Sequence, residues 1–287
     1  MTRDRVIYYR DERSDDFAAV TGTSVLPDGY EYERGTLFRA LSFLLYRVLA
    51  TPVAALHSRV FHGLRVYGKE KLKESRGRGI FVYANHTLDI GDAFFPSVAM
   101  FPRRTFVITG AGSVTFPVAG RLAPYLGALP LPSSRAGYRD FLAAVKKRLD
   151  ERACVYVYPE AHIWPYYTGV REFSDASFLY PAKFGAPVYA ATTVFRKRRL
   201  FAAPRCEVYI DGPFLPDESS TVAENKSRLH AKARAAMLSR SLLSDCEYVR
   251  REYVKEFLQK IYKKIFLNRL TNAFFTVYNE RNLRSGR

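Results

Sequence analysis

Ile80-Phe81-Val82-Tyr83-Ala84-Asn85-His86-Thr87-Leu88-Asp89-Ile90-Gly91-Asp92-Ala93-Phe94-Phe95 runs from an unbroken apolar segment, through a short polar stretch, into a second apolar segment. The β-branched and aromatic run at its start predicts a buried strand. Residues 93–100 predict a helix, with Pro96 tolerated in the first turn. Between the two, one histidine and two carboxylates fall within seven residues. An aspartate that accepts a hydrogen bond from one imidazole nitrogen fixes the tautomer and leaves the other nitrogen free to take a proton from a hydroxyl. His86 with Asp89 or Asp92 is therefore a candidate base with its orienting acid. The competing reading is structural: His86 ends the strand and an aspartate caps the helix that follows.

Working outward, the chain alternates extended and helical patterns. Strands are expected at 64–68, 105–108, 128–131, 155–158, 187–194 and 206–210, and helices at 116–126 and 137–152. Such alternation predicts the α/β class, here a central mixed sheet flanked by helices. Residues 36–61 read as helix from the cap Thr36, with Leu37, Phe38, Leu41, Leu44, Leu45, Val48 and Leu49 at helical spacing. Pro52 is expected to break or kink it. With Arg39, Arg47 and His57 inside the stretch, a broken helix pair lying in a bilayer interface is expected rather than a spanning helix. The expected divisions are an extension at 1–35, interface helices at 36–62, the α/β domain at 63–215, and a helical region at 216–287 that ends in a basic tail.

Composition narrows the class of function. The 287 residues are 48% hydrophobic and 15% aromatic, too apolar for a disordered chain. Forty-five Lys and Arg against 28 Asp and Glu give a net charge of +17, which either meets an acidic partner or simply keeps the protein soluble. The basic residues are mixed with apolar ones, as in 37–56 and 255–269, which suits an anionic membrane better than a phosphate groove. No nucleic-acid-binding signature appears, so no nucleic-acid partner is expected. Residues 1–16 lack the apolar run of a secretory signal. Cys154, Cys206 and Cys246 are scattered singly, in keeping with a reducing compartment, and no metal-ligand spacing is present. A Gly-x-Ser-x-Gly nucleophile elbow is also missing.

Three features close successive predicted strands: Asn85-His86 through Asp92, the stretch from Gly127 to Arg135, and Tyr158-Pro159-Glu160. Ligand sites in α/β sheets gather at such strand ends. In this order, over residues 66–194, the chain resembles the glycerolipid acyltransferase family typified by lysophosphatidate acyltransferase. That family has an Asn-His-x-x-x-x-Asp block, a Gly-containing block ending in Arg, a Phe-Pro-Glu-Gly-Thr-Arg block and a final apolar block built on Val-Pro. The family aspartate would fall at Gly91. Anchoring on the apolar helix that follows selects Asp92, with Asp89 the alternative. Ala161-His162-Ile163 stands where the family has Gly-Thr-Arg, so the phosphate-gripping arginine is missing from its usual place.

The resemblance implies one-step acyl transfer from a thioester to a glycerolipid hydroxyl, with His86 as base oriented by Asp92. It also implies an acceptor site drawn from Asn85, Arg135, Glu160, His162 and Arg171. Phosphate recognition would move to Arg135 or Arg171, or the acceptor would lack the phosphate. Trp164, Tyr166 and Tyr167 would line an acyl groove, sit at the interface or simply pack. No cofactor or metal is expected beyond the co-substrate, acyl-coenzyme A or acyl carrier protein. The expected place is the cytoplasmic face of the cell membrane, as a peripheral or monotopic protein. A glycerol-3-phosphate or non-phosphorylated-acceptor acyltransferase, and a weakly catalytic lipid-surface binder, are the alternatives.

Overall fold

The computed structural model describes residues 6–12, 15–17, 25–115, 119–199 and 201–254. Contacts divide the chain into two units, residues 16–248 and residues 1–15 with 249–287. The expected boundaries near 35, 62 and 215 all fall inside the larger unit. Most of the basic tail expected over 248–279 lies outside the described residues, which end at 254.

The chain places β1 at Val6–Tyr9 and then builds one continuous helical stretch over Thr36–Phe61. This consists of α1 (Thr36–Leu44), a π-helical turn (Leu45–Ala50) and α2 (Thr51–Phe61). Pro52 does not split it, contrary to expectation. The N–H of Thr51 donates to Tyr46 O, five residues back, and Thr51 Oγ1 donates to the same carbonyl at 2.7 Å. This widened turn restarts the hydrogen-bond ladder just ahead of Pro52, whose missing N–H then falls in a first turn. The extra residue also keeps two stripes in line. Ser42, Tyr46, Thr51, Ala54 and Ser58 are buried, while Leu41, Leu44, Val48, Val53, Leu56 and Val60 are exposed. By length and composition the helix is long and apolar enough to cross a membrane.

There follow β2 (Arg65–Tyr67), a 3-10 segment (Lys69–Ser75), β3 (Ile80–Ala84), α3 (Asp89–Ala99) and β4 (Thr105–Thr109). Two short helices, α4 (Gly112–Thr115) and α5 (Ala119–Leu122), stand where one helix was expected, and residues 116–118 lie outside the described set. After them come β5 (Ala128–Pro130), α6 (Arg135–Asp150), β6 (Cys154–Val157) and α7 (Leu179–Phe184). The chain continues with β7 (Val188–Arg196), β8 (Arg205–Phe214) and α8 (Val222–Ser241). Thr221 and Glu224 close a capping box at the start of α8, satisfying two N–H groups that the helix itself leaves unpaired. The final described strand, β9 (Arg250–Tyr253), interrupts a region expected to be helical throughout. In the smaller unit it pairs in parallel with β1, from Val6 opposite Arg250 to Tyr9 opposite Tyr253.

The larger unit holds a seven-stranded mixed sheet in the order β2-β8-β7-β3-β6-β4-β5. Every neighbouring pair is parallel except β7 with β8. β3 sits between β7 and β6 and all five of its residues are buried, which is why its sequence is continuously apolar rather than alternating. Ile80, Val82 and Ala84 pack with Leu88, Phe95 and Met100 on the α3 side. Phe81 and Tyr83 pack with Phe141, Val145, Phe178 and Leu229 on the other. Because β3, β6, β4 and β5 run the same way, their carboxyl ends share one edge of the sheet.

Candidate active site

At that edge the chain leaves β3 through Asn85. The buried Asn85 amide donates from Nδ2 to Thr193 O at 2.9 Å and accepts the Thr193 N–H on Oδ1 at 2.8 Å. It acts as one more rung of backbone between β3 and β7, so its expected part in substrate binding is replaced by a clasp. His86 follows immediately and faces a cavity of about 610 Å³.

His86 Nδ1 lies 2.8 Å from Asp92 Oδ2. The same oxygen accepts the N–H groups of Thr87 at 2.7 Å and Leu88 at 2.8 Å. Asp92 thus holds the imidazole and also satisfies two backbone donors where α3 begins, a region that favours negative charge. With Nδ1–H donated to a carboxylate, the tautomer leaves Nε2 as the acceptor. Asp89, the first residue of α3, is exposed on the cavity wall and makes no hydrogen bond to His86. Burial first, then the charge of Asp92, pushes its carboxyl above the usual range. Gly91 lies buried between them. A Cβ there would sit 2.8 Å from Leu88 Cδ1 and 3.3 Å from the Phe95 ring, so close packing of the loop onto α3 demands glycine.

Tyr158, at the end of β6, stacks on the His86 ring with centroids 4.4 Å apart and planes 17° from parallel. Its hydroxyl donates to Asp92 O at 2.7 Å. That carbonyl is free because the residue four positions on is Pro96, which has no N–H to give it. Pro96 therefore lies inside α3, not in its first turn, and its missing donor is supplied by Tyr158. A tyrosine where the related motif has phenylalanine was the sequence signal for this role.

Glu160 turns away from the cavity. Its carboxylate accepts the Arg171 N–H at 3.2 Å and, weakly, the His86 N–H at 3.4 Å, while Arg171 Nε lies 3.4 Å from Oε2. Burial, only partly offset by Arg171 and these N–H donors, pushes the Glu160 carboxyl up to about 7. Arg171 also donates to Glu160 O and His162 O, and its guanidinium stacks on Trp164 at 5.1 Å. It is buried and occupied, not presented to a ligand. His162 sits outside the cavity lining with Nδ1 3.4 Å from Asp16 Oδ2. Arg135 is exposed at the first turn of α6, one turn before Tyr138, which does line the cavity. Trp164 is buried, and the N–H groups of Trp164 and Tyr166 donate to His86 O (3.0 Å) and Thr87 O (2.8 Å). The loop after β6 is thereby tied to the loop after β3. Ala161 holds φ +65°, the left-handed conformation that glycine would adopt without strain, at the position where the related motif has glycine.

Hydroxyls missed by sequence reading complete the cavity: Thr109 Oγ1 and Ser113 Oγ, 2.7 Å apart at the end of β4, together with Ser174 and Ser177. They are brought in by tertiary folding and carry no local signature. Among the described residues no three His, Cys, Asp or Glu side chains gather as a metal-binding group.

This geometry coincides with a family match: residues 63–194 fit the family model described as Acyltransferase. The matched residues lie within the larger unit and are similar to an acyltransferase domain. His86, Asp92 and Glu160 all fall within the matched span. Among curated proteins none matches the chain. Among solved structures, the 1-acyl-sn-glycerophosphate (LPA) acyltransferase PlsC from Thermotoga maritima is similar at 15% identity, over 74% of this chain and 97% of that one, with a TM-score of 0.49. At that identity and score the likeness says nothing about chemistry. The His86–Asp92 pair lies at the shared carboxyl edge of the strands, where such sheets bind ligands.

Proposed function

We propose that this acyltransferase moves a fatty acyl group from a thioester to a hydroxyl of a lysophospholipid or related glycerolipid. The observation that carries the reading is the 2.8 Å bond between His86 Nδ1 and Asp92 on the wall of a cavity of about 610 Å³. The acceptor O–H gives its proton to His86 Nε2 as the oxygen attacks the thioester carbonyl. A C–O bond forms, the C–S bond breaks, and the proton passes on to the departing thiolate. Asp92 holds the ring and stabilises the imidazolium that forms in between. The donor is acyl-coenzyme A or an acyl carrier protein.

The helix over Thr36–Phe61 supports membrane association, and the proposed place is the cytoplasmic face of an anionic membrane. One stripe, Ser42 through Ser58, is docked on the domain along the length of the helix, which favours lying along the bilayer surface over crossing it. The exposed leucines and valines would enter the interface, and the net charge of +17 would favour anionic lipid.

The test is acyl transfer to a lysophospholipid or monoacylglycerol in vesicles, comparing the parent protein with His86→Ala. Loss of general-base catalysis lowers the rate by about 10²–10⁴-fold. Undiminished transfer by a folded His86→Ala protein would end this mechanism.

A further inference from the structure

We infer that the acceptor presents an uncharged, hydroxyl-bearing headgroup to His86, and that Asp89 is the residue that turns away a phosphate beside the reacting hydroxyl. This rests on the acyl-transfer reading of the cavity and narrows its substrate class.

The first ground is the charge of the wall. Among the described residues that line the cavity there is no lysine or arginine, and the ionisable groups beside His86 are Asp89 and Asp92. A site for a phosphomonoester needs the reverse, guanidinium or ammonium groups that pair with the phosphate oxygens. Arg171 supplies none, being enclosed by Glu160, His162 O and the Trp164 ring. Arg135 stands exposed, outside the lining.

The second ground is Asp89 itself. Asp92 is committed to His86 and two backbone N–H groups, whereas Asp89 has no hydrogen bond or ion pair with a described residue and reaches the cavity from the first position of α3. Asp16 adds to the negative field felt by Asp89. A phosphate entering beside His86 would meet that field with no lysine or arginine in the described lining to pair with it, which is how like charge excludes a wrong partner. The other polar side chains of the lining, those of Thr109, Ser113, Ser174 and Ser177 with Tyr138, Tyr158 and Tyr180, carry neutral hydroxyls suited to a hydroxyl-bearing headgroup.

The experiment measures kcat/KM with palmitoyl-coenzyme A and two acceptors of the same acyl chain, monoacylglycerol and lysophosphatidate. Parent, Asp89→Asn, Arg135→Gln and His86→Ala proteins are compared. The parent should favour monoacylglycerol by about tenfold or more, and Asp89→Asn should raise use of lysophosphatidate about tenfold, chiefly through KM. Equal or better use of lysophosphatidate by the parent would overturn the inference, most directly if Arg135→Gln abolished it. A loss on both acceptors of equal size in Asp89→Asn would also overturn it, by making Asp89 a general structural or catalytic group. Failure of the acyl-transfer reading looks different, because turnover would then be absent or indifferent to His86→Ala. In that event equilibrium binding of short-chain forms of the two acceptors decides the inference. Monoacylglycerol must bind the parent more tightly, and Asp89→Asn must gain affinity for lysophosphatidate. The opposite order sinks it.

Discussion

The ends of β3 and β6 each place a buried carboxylate beside His86, and the two are built for opposite work. Asp92 touches the imidazole ring through Oδ2 and opens on the cavity. Glu160 touches only the backbone of His86 and is closed off by Arg171. A carboxylate near a base is thus not enough to assign it chemistry. What separates the two is which atom of the histidine each one meets, and whether a cation has already claimed it.

Breaking the Glu160 side should cost stability before it costs chemistry. Glu160→Ala leaves Arg171 buried and uncompensated, a loss of about 3–5 kcal/mol, read as a fall in the denaturant midpoint. Activity per folded molecule should fall far less than in His86→Ala. Glu160 also gives the comparison a pH signature. Its folded carboxyl is raised from 4.5 to about 7, so the folded state binds the extra proton. The stability it contributes is full below about 4.5 and is lost as pH rises through about 7. Thermal melts should show that decline in the parent and a flatter profile in Glu160→Gln.

Asn85→Ala removes the clasp between β3 and β7 and leaves the Thr193 N–H and C=O unpaired, at about 2–4 kcal/mol. Its signature is again a lower midpoint, with a poorly placed His86 as the secondary effect. Gly91→Ala presses a Cβ into Leu88 and should cost about 1–3 kcal/mol, with lowered activity because the loop carrying His86 must shift. The smallest change sharpens the comparison most. Tyr158→Phe keeps the ring on His86 but removes the hydroxyl from Asp92 O, for about 1 kcal/mol, or about fivefold in rate. Tyr158→Leu, which also removes the stacked ring, should lose more. Equal rates for the two would show that the stacking does nothing for the base.

Much of this was legible in the sequence because local pattern decides it. The continuously apolar run Ile80 to Ala84 becomes a central strand, and the apolar helix after the loop picks Asp92 as the partner of His86. The β-α alternation likewise gives the mixed sheet. What escaped notice depends on distant contacts. Nothing near Asn85 reveals that Thr193 takes both ends of its amide. Nothing near Arg171 reveals that Glu160 and Trp164 will enclose it. Pro52 and Pro96 were read by a rule for regular helices. Both are accommodated by partners the rule leaves out, a widened turn in one case and the Tyr158 hydroxyl in the other. The pairing of β1 with β9 joins the two ends of the chain and has no local signature at all.

The claim that Asp92, and not its neighbour, orients the base is tested most directly by measuring kcat for acyl transfer in Asp92→Asn and Asp89→Asn side by side. The 2.8 Å bond predicts a loss of about 10²–10⁴-fold in Asp92→Asn, with Asp89→Asn much closer to the parent on a phosphate-free acceptor. A collapse in Asp89→Asn with Asp92→Asn still active would contradict it.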